Sequence, residues 1–312
     1  MIEITTTRAN HLVDPTLHVW AWQIPVYLFL GGLVAGMMMI HGWFTFADRH
    51  RRADSVTRLL PALGLVLLSA GMGALFLDLE HKLYVWRLYL TFQPTSPMSW
   101  GAWILVAVYP ALFAALLMNV PDALLARFPV LGTWGRALAS DPSRVRLVAA
   151  ANMTLGALLG VYTGILLSTL GARPLWNSAL LGPLFLASGL SSAAALVHMV
   201  AKDRAESELL ARADNRLLTA ELAILALFLI GLVTSSRVHQ QAAGLLLGGP
   251  FTALFWVGVV GLGIAVPLFV QTLAVGHRVR HTAVAPVLVL AGGLLLRFVF
   301  VYAGQLSHYG PY

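Results

Sequence analysis

The sequence predicts an all-α integral membrane protein with eight transmembrane helices, and three observations support this fold class. Hydrophobic residues make up 59% of the 312-residue chain and charged residues only 11%, whereas soluble domains usually carry about 25% charged residues. The apolar residues fall into eight runs, each close to the roughly 20 residues that a helix needs to cross a bilayer. Because lipid cannot hydrogen-bond to the backbone, runs of this length are expected to be helical.

The eight runs follow one another along the whole chain with no soluble domain between them. We therefore expect one transmembrane domain over residues 1–312, arranged as two four-helix bundles. The predicted spans are residues 18–44, 57–78, 98–120, 146–170, 176–200, 216–236, 251–275 and 283–304.

The positions of the basic residues predict how the helices are oriented. Of the 20 Lys and Arg residues, 14 lie around the loops that follow spans 1, 3, 5 and 7, and five lie on the opposite side. Cytoplasmic loops of membrane proteins carry the excess of Lys and Arg. The side with 14 is therefore expected to be cytoplasmic, and both termini are expected to face outward. Since the net charge of +7 arises mostly in these loops, it does not indicate nucleic-acid binding.

The sequence has no cysteine, which excludes thiolate-bound iron–sulfur clusters, covalently attached haem and disulfides in this polypeptide. It also has no phosphate-binding loop, dinucleotide fingerprint or HExxH motif. We expect neither metal nor haem in this chain. Polar side chains inside membrane helices are costly and usually functional, so they are where the function is sought.

Span 1 begins with a polar and aromatic cluster. Trp20, Gln23 and Tyr27 follow a helical spacing that places them on one face, and His18 precedes them. Tryptophan at this depth is typical of the aromatic belt at a membrane interface. Gln23 and Tyr27 lie deeper, and we interpret them as candidate ligand contacts.

Two further groups are expected at the same outer end. Tyr162 lies about two-thirds of the way along span 4, which runs outward. A buried phenol needs a hydrogen-bond partner, and either another helix or a ligand carbonyl would provide one. Asp78 and Glu80 end span 2. These acids are either solvated charges at a helix end or, where shielded from water, groups able to carry a proton.

Buried charge is also expected in span 8 and at the inner helix ends. Arg297 lies in the outer third of span 8, where an unpaired guanidinium would be costly, and we expect it to pair with Asp78. His41, His198 and Glu221 lie at the inner ends of spans 1, 5 and 6. They are compatible with a b-type haem, with a proton path from the cytoplasm, or with simple interfacial positions.

Small residues recur every fourth position in two spans. Span 4 contains Gly156, Gly160 and Gly164, and span 1 contains Gly32 and Gly36. Glycines at this spacing let membrane helices approach closely. They predict close packing of spans 1 and 4 against their neighbours.

Five segments together resemble the NrfD/PsrC family of membrane subunits, the quinone-handling anchors of polysulfide reductase and its relatives. The motifs SPMSWG and RFVFVYAGQ are the most specific elements, and the resemblance covers nearly the whole chain. The segments are residues 27–36, 78–105, 162–168, 176–196 and 292–305.

This resemblance implies a cofactor and partners. The cofactor would be menaquinone or ubiquinone, bound near the outer face. The partners would be a ferredoxin-like iron–sulfur subunit and a molybdopterin catalytic subunit on the extracytoplasmic side. The implied location is the cytoplasmic membrane of a bacterium or archaeon.

The resemblance also carries over to single residues. Tyr162 stands where the family motif has a quinone-contacting tyrosine, and Asp78, Arg297 and Gln305 match other motif positions. Near the start of helix 1, where polysulfide reductase offers Asn and His, this chain has Gln23 and Tyr27.

The expected function is therefore a quinone-binding anchor of a respiratory oxidoreductase. Tyr162, Tyr27, Gln23, His18, Trp20 and Arg297 are the predicted quinone-site residues, and Asp78 and Glu80 the predicted proton carriers. Three alternatives stay open: a secondary transporter, a cytochrome b-type anchor, and a proton-translocating module driven by quinol oxidation. The last would use the cytoplasmic-side polar residues His41, His198, Glu221 and Asn152.

Overall fold

A computed structural model describes residues 19–47, 55–120, 127–201, 204–275 and 283–309. These residues contain eight helices long and apolar enough to cross a membrane, which confirms the predicted fold class. Spans 1 to 8 are Gln23–Phe46, Leu60–Asp78, Pro97–Met118, Pro142–Ser168, Leu181–Val200, Ser207–Thr234, Leu254–Leu273 and Val284–Leu306.

Several helix starts differ from the predicted ones, and three of these differences have identifiable reasons. Span 4 begins at Pro142, because the carboxylate of Asp141 caps it by accepting a hydrogen bond from the Ser143 amide at 2.8 Å. The helix of span 6 begins at Arg204, so it includes a charged segment that an apolar pattern does not reveal. Span 5 begins only at Leu181, because the preceding residues form turns that place Trp176 in the core.

Short helices connect several spans, and span 7 is irregular. Span 7 consists of a π-helical segment, Leu254–Ala265, followed by the α-helix Val266–Val275. The connecting segments are the π-helical turn Ser55–Leu59, the 3₁₀ turn Lys82–Tyr84 and the α-helices Arg87–Leu90, Pro129–Ala139 and Arg237–Leu247.

Span 1 occupies the centre of the helix assembly. Its most apolar stretch is 72% buried, compared with 28% for span 6. Span 1 packs against spans 2 and 4, and span 3 completes this group by packing against spans 2 and 4. Spans 5 to 8 pack against one another, and the contacts of span 5 with spans 1 and 4 and of span 8 with span 1 join the two groups. The outward position of both termini stays a prediction.

The glycines of spans 1 and 4 lie at helix crossings, as predicted. A Cβ atom at Gly156 would lie 2.7 Å from the Ala35 carbonyl oxygen, and one at Gly36 would lie 2.6 Å from the Gly189 carbonyl oxygen. Gly164 packs in the same way against the backbone of Leu181. Spans 1, 4 and 5 therefore approach one another closely through backbone contacts that side chains would prevent.

We expect Gly36→Ala to destabilise the protein by about 2 kcal/mol, because the new methyl group would overlap with Gly189 and Ala193. Thermal unfolding in detergent would measure this effect. Gly73→Ala is the matched control, since Gly73 lies in a helix with no atom near its missing Cβ. An alanine there should leave stability unchanged or raise it slightly. Equal melting temperatures for the two variants would contradict the packing assigned to Gly36.

Candidate functional site

Tyr162 lies on span 4 with only 5% of its surface exposed, and its ring rests against Gly101 at the start of span 3. Any Cβ atom at Gly101 would overlap with the ring. The glycine of the SPMSWG motif is therefore needed to let the Tyr162 ring lie there.

The remainder of that motif holds the preceding loop in place. Ser99 Oγ accepts a hydrogen bond from the Gln93 amide at 3.0 Å and donates one to the Thr91 carbonyl at 3.3 Å. Trp100 Nε1 donates to the Pro94 carbonyl at 2.7 Å. These bonds fold the loop back on the first turn of span 3 and so fix the position of the helix start next to Tyr162.

Tyr27 lies on span 1, which packs directly against span 4, and it is as deeply buried as Tyr162. The phenol of Tyr27 lies within electrostatic range of those of Tyr162 and Tyr89. Among the described residues, no hydrogen-bond partner is found for the hydroxyl of Tyr27 or of Tyr162. Tyr27 and Tyr162, which lie on two different helices, are therefore near each other in the structure.

Gln23 lies one helical turn before Tyr27 on the same face of span 1. Its Oε1 atom is buried and lacks a hydrogen-bond partner within the described part of the molecule. Buried polar atoms in folded proteins are nearly always paired, with protein, water or a ligand. An unpaired acceptor one helical turn from a buried phenol is the arrangement expected of a site that binds a small polar group.

Trp20 and Gln305 fix the entry of span 1. Gln305 Oε1 accepts hydrogen bonds from the amides of Val19 and Trp20, at 3.1 and 2.8 Å, and its Nε2 donates to the Trp20 carbonyl at 2.9 Å. The Trp20 ring packs on the buried Trp176 with 5.3 Å between centroids. This clamp from span 8 positions the segment that carries Gln23. His18 lies outside the described residues.

Arg297 is fully buried between spans 1, 5 and 8. Its Nη1 donates to the Ser188 hydroxyl and, at 3.1 Å, to the Gly293 carbonyl, while Nη2 donates to the Phe185 carbonyl at 2.9 Å. The guanidinium also lies 4.7 Å from the centroid of the Phe185 ring. Its acidic neighbour is Glu221 of span 6, which also hydrogen-bonds to Ser188.

The expected pair of Arg297 with Asp78 is wrong. The charged neighbour of Asp78 is Lys82, whose Nζ donates to the Leu79 carbonyl at 2.8 Å. The two Nη atoms of Arg297 donate to carbonyls and a hydroxyl inside the helix assembly, because the side chain faces spans 1 and 5 and not the end of span 2. Its buried Nε has no hydrogen-bond partner among the described residues. Asp78 itself is half-buried, and Glu80 is exposed.

A second buried polar cluster, which the sequence analysis did not predict, centres on Asp214 of span 6. Asp214 Oδ1 accepts a hydrogen bond from the Ser191 hydroxyl at 2.6 Å, and Oδ2 accepts one from Gln271 Nε2 at 2.8 Å. Asp214, Leu218, Glu221 and Leu225 form one buried stripe of span 6. Their helical spacing is a usable signal in the sequence, but the many charges around Asp214 are equally typical of a loop.

The polar residues expected near the cytoplasmic side do not form a single cluster in the structure. Asn152 ties span 4 to span 3, because its Nδ2 donates to the Ala111 carbonyl at 3.0 Å. His41 and His198 are both buried near the inner ends of their helices. Among the described residues, no group of three or more His, Cys, Asp or Glu side chains could hold a metal ion.

The fold and these clusters define a multi-pass helical membrane protein with polar groups buried between its spans. The chain belongs to the NrfD family: the family described as "Polysulphide reductase, NrfD" matches residues 10–308. The predicted family is therefore confirmed, as is the location of a multi-pass protein in the bacterial inner membrane.

Three relatives illustrate the similarity. Protein NrfD of Escherichia coli (strain K12) is 33% identical, over 97% of this chain and 99% of its own length. A polysulfide reductase polypeptide of Wolinella succinogenes is 30% identical, over 92% of this chain and 94% of its own. A selenate reductase subunit of Mesobacillus selenatarsenatis is 24% identical, over 92% and 74%. The last two are named as components of reductases.

Proposed function

We propose that this chain is the membrane anchor and quinone-binding subunit of a respiratory oxidoreductase complex. It would exchange electrons between the quinone pool and an extracytoplasmic iron–sulfur subunit of a molybdopterin-type enzyme. Two observations support the proposal: two relatives are named as components of reductases, and the chain itself has no cysteine to hold a redox cluster. Family membership favours this role over secondary transport.

The observation that carries the proposal is the group formed by Tyr27, Tyr162 and Gln23. Both phenols are buried between two packed helices, and the Gln23 carbonyl oxygen is buried and unpaired among the described residues. A menaquinone or ubiquinone headgroup fits this set, because its two oxygens accept hydrogen bonds when oxidised and donate them when reduced. Tyrosine hydroxyls can do both, whereas the Gln23 oxygen accepts.

The residues of this protein would supply binding and orientation, while a bound quinone would supply the two-electron, two-proton chemistry. Tyr162 and Tyr27 would donate to the oxygens of the oxidised headgroup, and Gln23 would accept from the reduced one. Trp20 would hold the entry of span 1 through its contact with Trp176.

The other predicted residues would act at a greater distance from the headgroup. Arg297 contacts span 1 at Gly32, about 7 Å deeper than Tyr27 along the helix, and its Nη atoms already donate to Ser188, Gly293 and Phe185. Its contribution would therefore be electrostatic. Half-buried Asp78 and exposed Glu80 would pass protons between the site and the outer solution.

We expect Tyr162→Phe to lower quinol-linked turnover of the intact complex about tenfold, since it removes one hydrogen bond to the headgroup. Turnover with a quinol analogue would be measured together with KM for the quinol. Tyr84→Phe is the control, because Tyr84 is about half exposed and lies outside the Tyr27–Tyr162 group. Unchanged turnover and KM in Tyr162→Phe would reject the role of this tyrosine.

A second candidate function, proton translocation coupled to quinol oxidation, is favoured by the buried acid Glu221. It lies near Arg297 and Asp214 and hydrogen-bonds to Ser188, so ionisable and hydroxyl groups are linked inside the membrane-spanning region. We expect Glu221→Gln to lower the number of protons moved per electron in proteoliposomes while quinol oxidation continues. Glu208→Gln is the control, because Glu208 forms a surface ion pair with Arg212. An unchanged proton-to-electron ratio in Glu221→Gln would exclude this acid from such a path.

A further inference from the structure

A cavity of about 800 Å³ lies between spans 1, 4, 5 and 6, at the end of the assembly opposite to Tyr27 and Tyr162. This volume is within the range of about 300–1,000 Å³ typical of small-molecule sites. Its inner wall is apolar and includes Met39, Ile40, Met153, Leu190 and Ala194. Nothing in the proposed quinone function uses this cavity.

The depth of the cavity matches one leaflet of a bilayer. Leu190 lies ten residues before the end of span 5 at Val200, and Met153 lies eleven residues after the start of span 4 at Pro142. At 1.5 Å per residue, the cavity reaches about 15 Å from the helix ends. The hydrocarbon region is about 30 Å thick in total, so the cavity is as deep as the acyl chains of one leaflet.

Span 6 supplies the charged side chains of the cavity, two arginines and one acid, Glu208. Arg212 and Arg216 lie one turn apart on span 6, and both line the cavity. Arg212 is paired with Glu208 at 3.4 Å, whereas Arg216 forms no ion pair with any residue that the structure describes. Trp43 also lines the cavity, and 39% of its surface is exposed, as is typical of tryptophan at a membrane interface.

A second, smaller hollow lies beside the first. It has a volume of about 190 Å³, is lined by Phe46, Ala150, Met153 and Thr154, and shares Met153 with the larger cavity. The two adjoining hollows together provide apolar room for hydrocarbon chains.

We propose that this cavity binds an anionic phospholipid, with its acyl chains between the helices and its phosphate at Arg212 and Arg216. Basic pockets between transmembrane helices are suited to anionic lipid headgroups. A quinone fits less well, because the charged side chains of the cavity all come from span 6, whereas spans 1, 4 and 5 contribute only apolar and aromatic side chains. The site would lie in the cytoplasmic leaflet in the orientation predicted from the basic residues.

The test is native mass spectrometry of the full-length protein in detergent with three added probes: phosphatidylglycerol, phosphatidylcholine with identical acyl chains, and glycerol phosphate. We expect phosphatidylglycerol to bind at least tenfold more tightly than phosphatidylcholine, and glycerol phosphate not to bind, because both the charge and the apolar contacts are needed. The double variant Arg212→Gln/Arg216→Gln should lose about tenfold in phosphatidylglycerol affinity. Ala194→Trp, which fills the cavity, should weaken both lipids.

Arg144→Gln is the matched control, because Arg144 lies at the same end of the assembly, pairs with Asp141 and does not line the cavity. Its lipid binding should equal that of the wild type. Melting temperatures would identify variants that fail to fold, in which case Arg216→Gln alone carries the test with a smaller loss. Equal binding of the two lipids, equal losses in the control and double variants, or displacement of phosphatidylglycerol by added ubiquinone would overturn the proposal.

Discussion

Replacing Arg297 with methionine is expected to destabilise the protein by about 3–5 kcal/mol, the range observed when one partner of a buried ionic interaction is removed. Methionine has a similar length but donates no hydrogen bonds. The carbonyls of Phe185 and Gly293 and the hydroxyl of Ser188 would lose their donor, and Glu221 would lose its positive neighbour. Thermal or denaturant unfolding in detergent would measure the change.

The double variant Arg297→Met/Glu221→Gln should recover part of this loss, because it also removes the buried carboxyl group that the single variant leaves without a cation. Arg87→Met is the control: Arg87 is exposed and lies 4.5 Å from the Tyr84 ring centroid, so its loss should change stability by less than about 1 kcal/mol. A melting temperature of Arg297→Met equal to that of the wild type would show that the buried network does not stabilise the fold.

Trp176→Ala is expected to have an effect of similar size, about 3–5 kcal/mol, because it leaves a large cavity in the core. Trp176 is fully buried, packs on Trp20 and against Gly304, and donates from Nε1 to the Phe300 carbonyl at 2.8 Å. Loss of the ring would also remove the support of Trp20. Quinol-linked turnover should then fall in the fraction of the complex that still folds.

Two further tryptophan variants make this prediction specific. Trp176→Phe keeps most of the ring but loses the hydrogen bond to Phe300, so it should cost about 1–3 kcal/mol. Trp22→Ala is the control, since half of the Trp22 surface is exposed. If the melting temperatures of Trp176→Ala and Trp22→Ala fall by equal amounts, the assigned role of Trp176 in the core is incorrect.

Much of the site could be predicted from single helices. Gln23 and Tyr27 are one turn apart on span 1, so their shared face follows from helix geometry alone. Tyr162 stood out because a phenol inside an apolar helix needs a partner. That Tyr27 and Tyr162 lie near each other required the packing of span 1 on span 4, which their glycines suggested but could not specify.

The incorrect or missing predictions share one cause, because each concerns a contact between residues that are far apart in the sequence. Arg297 was assigned to Asp78 because the two have similar depth, yet depth does not determine which face of span 8 meets which helix. Asp214 was missed because its surroundings in the sequence are charged, although its own position on span 6 is buried by spans 5 and 7. The sequence identifies Gln305 only as a motif residue. In the structure its hydrogen bond with Trp20 connects span 8 to the start of span 1.

The amino-acid sequence by itself determined that this protein forms eight membrane-spanning helices, where most of them run, which glycines let them pack, and which family it belongs to. The helices and their packing glycines depend on local composition and periodicity, because burial in lipid is decided segment by segment. The family was indicated by the resemblance of five segments to its motifs. Only the tertiary structure decided the partners of Arg297, the cluster around Asp214, the proximity of Tyr27 to Tyr162 and the cavity lined by Arg212 and Arg216. Each of these depends on the rotation and the neighbours of whole helices, which arise from contacts between residues far apart in the sequence.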